Sequence, residues 1–352
     1  MDFSSNDYLG LAGCTRLREA LVAALARGTP VGATGSRLLR GNAPEHEELE
    51  AAATRFFNTE RALYFGSGYA ANHALMSTLP QRGDLLVLDE LLHASANEGA
   101  RAGRAQLCRA AHNDADAVES RIREYRAAGG TGRIWIAVES LYSMDGDRAP
   151  LPALAALAQR HEAFLFIDEA HATGVFGPGG RGLAAELEGR DNIIVLHTCG
   201  KALGGAGALV TAPRLLADFL VNRARAFIFA TAPSPLLAVA AAESLRILHE
   251  EPERRELLNR RVAHAAAGLA RVAPGIRLSG SQIQPIIIGD DAAAMRLAAR
   301  LQRRGFDIRA VRPPTVPAGT ARLRLSITLN ATERDIDTLV ETLAAESQEL
   351  PA

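Results

Sequence analysis

The sequence contains one lysine, Lys201, and it stands where an amine could do covalent chemistry. It lies in His197-Thr198-Cys199-Gly200-Lys201-Ala202-Leu203-Gly204-Gly205, among small uncharged residues that follow an apolar run. Desolvation disfavours the ammonium form, which makes the amine available for a Schiff base. Lysine is more commonly a solvated surface residue. In this chain, however, a Schiff-base lysine has only one candidate.

Three further clusters bear on it. In Phe65-Gly66-Ser67-Gly68-Tyr69-Ala70-Ala71-Asn72 small residues close an apolar run and a helix follows. Such a turn lets backbone N–H groups and the helix dipole meet an anion, although a plain strand-to-helix turn reads the same way. In Phe166-Ile167-Asp168-Glu169-Ala170-His171 an acid ends a buried run, placed to pair with a protonated ring nitrogen, and His171 is able to bond a second polar atom of that ring. Alone, this string also fits a solvated acid beside a structural histidine, or a metal pair. His93, in Leu91-Leu92-His93-Ala94-Ser95-Ala96, has the chemistry to stack on a planar group or to help in proton transfer; a satisfied structural histidine fits equally. Together these are a phosphate cradle, a partner for a ring nitrogen, a ring neighbour and an amine. Pyridoxal phosphate (PLP) requires that set.

The elements that must hold these residues follow from hydrophobic patterning. Short apolar runs at Ala62–Phe65, Leu85–Leu88, Ile134–Val138, Phe164–Ile167 and Ile193–Leu196 predict buried strands, and Asp116–Ala127 and Leu151–Arg160 predict amphipathic helices between them. Alternation of this kind predicts an α/β fold with a mostly parallel sheet, whose ligands sit beyond the carboxyl ends of the strands. Each of the four clusters falls just after a predicted strand. Beyond Pro233-Ser234-Pro235 the pattern predicts one long helix, Leu236 to Arg271. A smaller α/β domain is predicted after it, with strands at Pro285–Ile288 and Arg322–Leu329 and helices at Ala292–Arg303 and Thr332–Glu346.

Composition excludes several classes. Among 352 residues, 39 are Lys or Arg and 40 are Asp or Glu, so net charge gives no reason to expect nucleic acid or a membrane as partner. The three cysteines, Cys14, Cys108 and Cys199, show neither a disulfide framework nor metal-ligand spacing, which points to a reducing cytoplasm and to no metal. No apolar run approaches the roughly 18 residues of a membrane span. Met1–Gly10 lacks the basic region and apolar core of a signal peptide.

Ser5-Asn6-Asp7-Tyr8-Leu9-Gly10, Ser67-Gly68-Tyr69, Asp168-Glu169-Ala170-His171 and Thr198-x-x-Lys201 together resemble the α-oxoamine synthases. These are fold type I PLP enzymes that join an amino acid to an acyl thioester with loss of carbon dioxide. The resemblance spans essentially the whole chain. It implies an aspartate-aminotransferase-like large domain with a seven-stranded sheet (residues 45–233), a smaller C-terminal α/β domain with its connecting helix (234–352), and an N-terminal segment (1–44) shorter than in relatives. It also implies a homodimer with active sites at the subunit interface. The string Val311-Arg312-Pro313-Pro314-Thr315-Val316-Pro317-Ala318-Gly319-Thr320-Ala321-Arg322-Leu323-Arg324-Leu325 is similar to the biotin-pathway member, which condenses L-alanine with pimeloyl-CoA or pimeloyl-acyl carrier protein.

By that resemblance Lys201 holds PLP and removes the α-proton, Asp168 pairs with the ring nitrogen, His171 bonds the ring hydroxyl, and His93 stacks on the ring. Ser67, Gly68, Tyr69 and Thr198 hold the phosphate, with Thr231 from a neighbouring subunit. Ser143 sits near the ring hydroxyl, and Asn6 lines the substrate side. Arg322 and Arg324 alternate along a predicted strand and so share a face. Arg324 is expected at the alanine carboxylate, because a guanidinium fork binds a carboxylate through two parallel bonds, and Arg322 is a weaker candidate. Two alternatives stay open: an α-oxoamine synthase using glycine or serine with another acyl group, and a catalytically silent partner subunit. The second should have lost the lysine that this chain keeps.

Overall fold

The computed structural model describes residues 1–272 and 276–347; residues 273–275 and 348–352, within and at the end of the predicted C-terminal domain, lie outside the described residues. The chain divides into a larger unit, residues 11–142 and 148–250, and a smaller one, residues 1–10, 143–147 and 251–352.

The larger unit runs α1 (Thr15–Ala26), α2 (Pro44–Phe57), β1 (Arg61–Phe65), α3 (Gly68–Thr78), β2 (Leu85–Asp89), α4 (Ala94–Ala102), β3 (Gln106–Ala110), α5 (Ala115–Ala127), β4 (Ile134–Glu139), α6 (Leu151–Arg160), β5 (Phe164–Asp168), β6 (Ile193–Thr198), β7 (Ala208–Ala212), α7 (Arg214–Arg223), α8 (Arg225–Ile228) and α9 (Pro235–Glu250). Its seven strands form one sheet in the order β1-β7-β6-β5-β4-β2-β3. All neighbours are parallel except β7, which is antiparallel to both β6 and β1. On one face Trp135, Phe166 and Ile194 of the sheet pack with Leu75 of α3 and Leu216 of α7. On the other, Ile167 and Val195 pack with Val118 and Ile122 of α5 and Leu154 of α6. Burial on both faces is why the central strands read as unbroken apolar runs.

Two strands did not register in the apolar pattern. Edge strand β3 (Gln106-Leu107-Cys108-Arg109-Ala110) is largely solvated on its flank, and β7 (Ala208-Leu209-Val210-Thr211-Ala212) is rich in alanine and interrupted by Thr211. β7 pairs back on β6 with Thr198 opposite Ala208, so residues 199–207 form the loop of a β6–β7 hairpin. A connection that short joins antiparallel strands only. Lys201 sits in this loop.

The smaller unit contains α10 (Glu253–Val272), β8 (Ile283–Gly289), α11 (Asp291–Arg303), β9 (Ala310–Val311), β10 (Ala321–Ser326) and α12 (Glu333–Ser347), with the antiparallel sheet β8-β10-β9. The single helix expected over Leu236–Arg271 is two helices, α9 and α10, separated at Glu251-Pro252. Proline has no N–H to donate and disfavours helical backbone at the residue before it. The division of the chain falls at this break rather than at residue 233. Residues 11–44 join the larger unit, where Arg16 pairs with Glu243 at 2.6 Å. Residues 1–10 join the smaller one because their backbone extends its pairing: Ser326 N–H donates to Phe3 O (2.8 Å) and Leu329 N–H to Tyr8 O (3.0 Å).

Candidate active site

The hairpin loop is built to hold one side chain. Cys199 N–H donates to Gly207 O (2.9 Å), Gly205 N–H to Cys199 O (2.8 Å) and Gly204 N–H to Lys201 O (2.8 Å). Gly207 has φ +91°, and a Cβ there would lie 2.4 Å from the Tyr64 ring. Only glycine fits that combination. Cys199 is fully buried, and burial pushes its thiol up to about 12, so it anchors the loop as an apolar group and not as a nucleophile. Lys201 is half-buried, with Nζ 2.7 Å from His171 Nε2. An N–H···N bond needs a lone pair on one nitrogen, so the two groups cannot both carry their full complement of protons.

Asp168 ends β5 next to this pair and is buried. Its Oδ1 accepts from Ala170 N–H (2.9 Å) and its Oδ2 from Asn72 Nδ2 (2.7 Å). His93 caps α4, and its Nδ1 lies 2.7 Å from Ser95 Oγ. Burial holds the His93 imidazole below its usual range; the Asp168 charge opposes that shift and the Lys201 charge adds to it. At the start of α3, Ser67 Oγ accepts from Ala70 N–H (3.0 Å). A Cβ on Gly68 would come 3.6 Å from Thr198 Oγ1. The N-terminus of α3 and the Thr198 hydroxyl thus face one small gap. Tyr69 is half exposed, and its hydroxyl donates to Glu98. Thr231 is exposed on the same unit.

All four clusters therefore meet at the carboxyl end of one sheet, because β1, β2, β5 and β6 run in the same direction. An amine, a carboxylate for a ring nitrogen, an imidazole and an N–H-rich turn beside a hydroxyl are the donor set PLP needs, and the residues present fit it. Behind them Glu169 is fully buried and accepts N–H bonds from Ala184 (2.6 Å) and Leu183 (3.0 Å); burial nevertheless pushes its carboxyl up to about 8.

The smaller unit holds the two arginines. Both are buried on one face of β10, and they differ in what satisfies them. Arg322 Nη1 pairs with Asp145 at 2.5 Å, so its charge is already matched. Arg324 meets neutral oxygens: Nε donates to Ser143 O (2.6 Å), Nη1 to Ser326 Oγ (2.9 Å) and Nη2 to Asn6 Oδ1 (3.1 Å), with a long 3.5 Å contact to Tyr8 Oη. No carboxylate pairs with it among the described residues. Only Nη1 keeps an N–H with no protein acceptor, and the one on Nη2 is held by the long bond to Tyr8, so a carboxylate would have to displace that weak contact to be bound by both nitrogens.

Comparison with known proteins agrees with this arrangement. The family profile "Aminotransferase class I and II" matches residues 1–343. The 8-amino-7-oxononanoate synthases of Chromobacterium violaceum and Geobacter sulfurreducens are each 44% identical to the chain, over 97% and 98% of it and 88% of their own lengths. The chain belongs to the 8-amino-7-oxononanoate synthase family. As a member it is a PLP-dependent acyltransferase of fold type I. Among solved structures, serine palmitoyltransferase from S. paucimobilis with a bound PLP–myriocin aldimine superimposes with TM-score 0.91 at 30% identity, over 99% of this chain and 87% of that one. The 8-amino-7-oxononanoate synthase of Francisella tularensis gives 0.81 at 28% identity, over 99% and 98%.

Membership does not reveal the residues that stand behind the site. Asn72, Ser95, Thr173 and Glu188 were not marked as site residues by the sequence, since their partners lie 23 to 96 positions away or, for Glu188, on the next strand. His93–Ser95 alone is a local pair, and Ser95 at the second position after His93 was the one available signal.

Proposed function

We propose that this chain condenses L-alanine with a pimeloyl thioester, carried on coenzyme A or an acyl carrier protein, and releases 8-amino-7-oxononanoate, carbon dioxide and the free thiol of the carrier. The observation that carries the reading is the lone lysine in the β6–β7 loop, 2.7 Å from His171 and beyond the same strand ends as Asp168. PLP, when bound, supplies an electron sink for charge developing at the amino acid's α-carbon. Lys201 is then the base that takes the α-proton and returns it. Asp168 keeps the ring nitrogen protonated, His171 orients the ring hydroxyl, and His93 covers one ring face. Ser67, Gly68, Tyr69 and Thr198 hold the phosphate, and Thr231 reaches a neighbouring copy's site. Ser143 and Asn6 serve the ring hydroxyl and the substrate, in part by orienting Arg324. Arg324 takes the alanine carboxylate, its matched neighbour Arg322 being a structural support. Leu39, Leu215 and Phe229, 85%, 80% and 69% exposed, are in keeping with a homodimer. Three unpaired thiols suit a cytoplasmic enzyme.

The test is a visible spectrum of the protein with PLP, titrated with L-alanine, glycine and serine, together with borohydride reduction and peptide mapping. A band shifted by alanine alone, with PLP trapped on the Lys201 peptide, is the expected result. The higher TM-score to serine palmitoyltransferase favours a second reading, in which serine and a long acyl chain are used. A shift with serine in place of alanine would establish that reading. Trapping elsewhere, or a Lys201→Ala variant that turns over normally, overturns the lysine assignment.

A further inference from the structure

The bonds around Asn72 have a direction that can be worked out. A carboxylate only accepts, so the Asn72 atom 2.7 Å from Asp168 Oδ2 is the amide nitrogen. That nitrogen has two hydrogens. One goes to Asp168, and the other goes to Ser95 Oγ at 3.0 Å. Ser95 Oγ accepts there and still has its single hydrogen to give, with His93 Nδ1 2.7 Å away. The Ser95 backbone N–H points at the same Nδ1 from 3.3 Å. A backbone N–H can only donate, so His93 Nδ1 presents a lone pair, and the Ser95 hydroxyl then donates to it as well. Its ring hydrogen then sits on Nε2.

We propose that Asn72 and Ser95 are positioning residues for the PLP site, with one amide orienting the Asp168 carboxylate while a serine relay locks His93 as its neutral Nε2–H tautomer. Asn72 and Ser95 are both buried, 4% and 1% exposed, so water does not compete for these bonds. The charged groups that act on His93 are Asp168 and Lys201, of opposite sign. The Nε2–H is then the one donor His93 offers. The ring-facing roles of Asp168 and His93 rest on the function proposed above, whereas the tautomer does not.

The experiment is 15N NMR of the holoenzyme labelled at histidine, with the His93 signals identified by their loss in His93→Gln. In the unsubstituted protein His93 should show an unprotonated Nδ1 and a protonated Nε2 throughout the neutral range. Ser95→Ala should shift His93 toward a mixture of tautomers while PLP affinity stays within about threefold, and Ser95→Thr should restore the single form. Asn72→Leu should disturb both the His93 signals and the visible PLP band, with PLP binding weakened about tenfold or more, as expected when a bond to a charged group is lost. Protonated Nδ1 in the unsubstituted protein, or an unchanged tautomer in Ser95→Ala, overturns the relay. If Asn72→Leu does not fold, the two serine variants decide. If the tautomer is as stated but His93 is indifferent to PLP, the relay stands and the ring-stacking role falls.

Discussion

Replacing His197 by Phe should destabilise the hairpin that carries Lys201, and the structure shows by how much. The His197 ring is fully buried and stacks on Phe57 with centroids 3.6 Å apart. Its Nε2 lies 2.9 Å from Glu188 Oε1, which also accepts the Thr211 hydroxyl at 2.5 Å. On the other side Nδ1 lies 2.8 Å from Thr173 Oγ1, which donates onward to Glu169 O. Nδ1–H therefore donates to Thr173, and one further proton lies between Nε2 and Glu188. A Phe ring keeps the stack but removes both bonds. Glu188, whose Oε2 already lacks a partner, is left with a single hydroxyl donor. Breaking a buried pair by removing one member costs about 3–5 kcal/mol. At 1.36 kcal/mol per decade, that speeds amide exchange limited by opening of β6 and β7 about 150- to 5,000-fold. Glu188→Leu alone should cost less, about 1–3 kcal/mol, because imidazole can stay neutral with Nδ1–H still on Thr173 and only the Nε2 lone pair unmet. The double variant should recover most of the loss, since apolar groups of similar volume replace a buried pair at little net cost. Hydrogen exchange read at β6 and β7 peptides across this cycle is the assay. Less than tenfold acceleration in His197→Phe, or a double variant as labile as that single one, would refute the reasoning.

Two other outcomes follow from the same core. Burial raises the Glu169 carboxyl from its ordinary 4.5 to about 8. Its stabilising contribution is therefore fully present below pH 4.5 and lost as pH rises through 8, so Glu169→Gln should lose less stability than the parent between pH 5 and 9; parallel denaturant midpoints across that range would show the carboxyl is not so placed. Gly207→Ala forces a side chain onto φ +91° and into the Tyr64 ring. It should cost about 1–3 kcal/mol and lower PLP occupancy, measured by thermal melting and the visible band, and unchanged values of both would mean the loop bends freely.

The fold class and the four chemical clusters were legible in the sequence because both are local. Strands buried on both faces appear as apolar runs, and their ends carry Ser67-Gly68, His93, Asp168 and Lys201 within a few residues. Pro252 lay in plain view too, but helical periodicity on either side of it masked the break. β3 and β7 were illegible for opposite reasons, one being a solvated edge and the other a buried strand whose alanines and Thr211 blend into an alanine-rich chain.

What only the tertiary structure decided is how each polar group is satisfied. Arg322 and Arg324 look equivalent in sequence, two positions apart on one strand face. Asp145, 177 residues from Arg322, neutralises it, while Arg324 meets only neutral oxygens, among them Ser143 O and Asn6 Oδ1, and keeps its charge unmatched among the described residues. Asn72 likewise gains its role from Asp168, 96 residues away. Residue type and spacing determine which chemistry is available, because they act through neighbours in the chain. Which of those groups is spent on the protein and which remains for a ligand depends on partners that only folding brings within 3 Å.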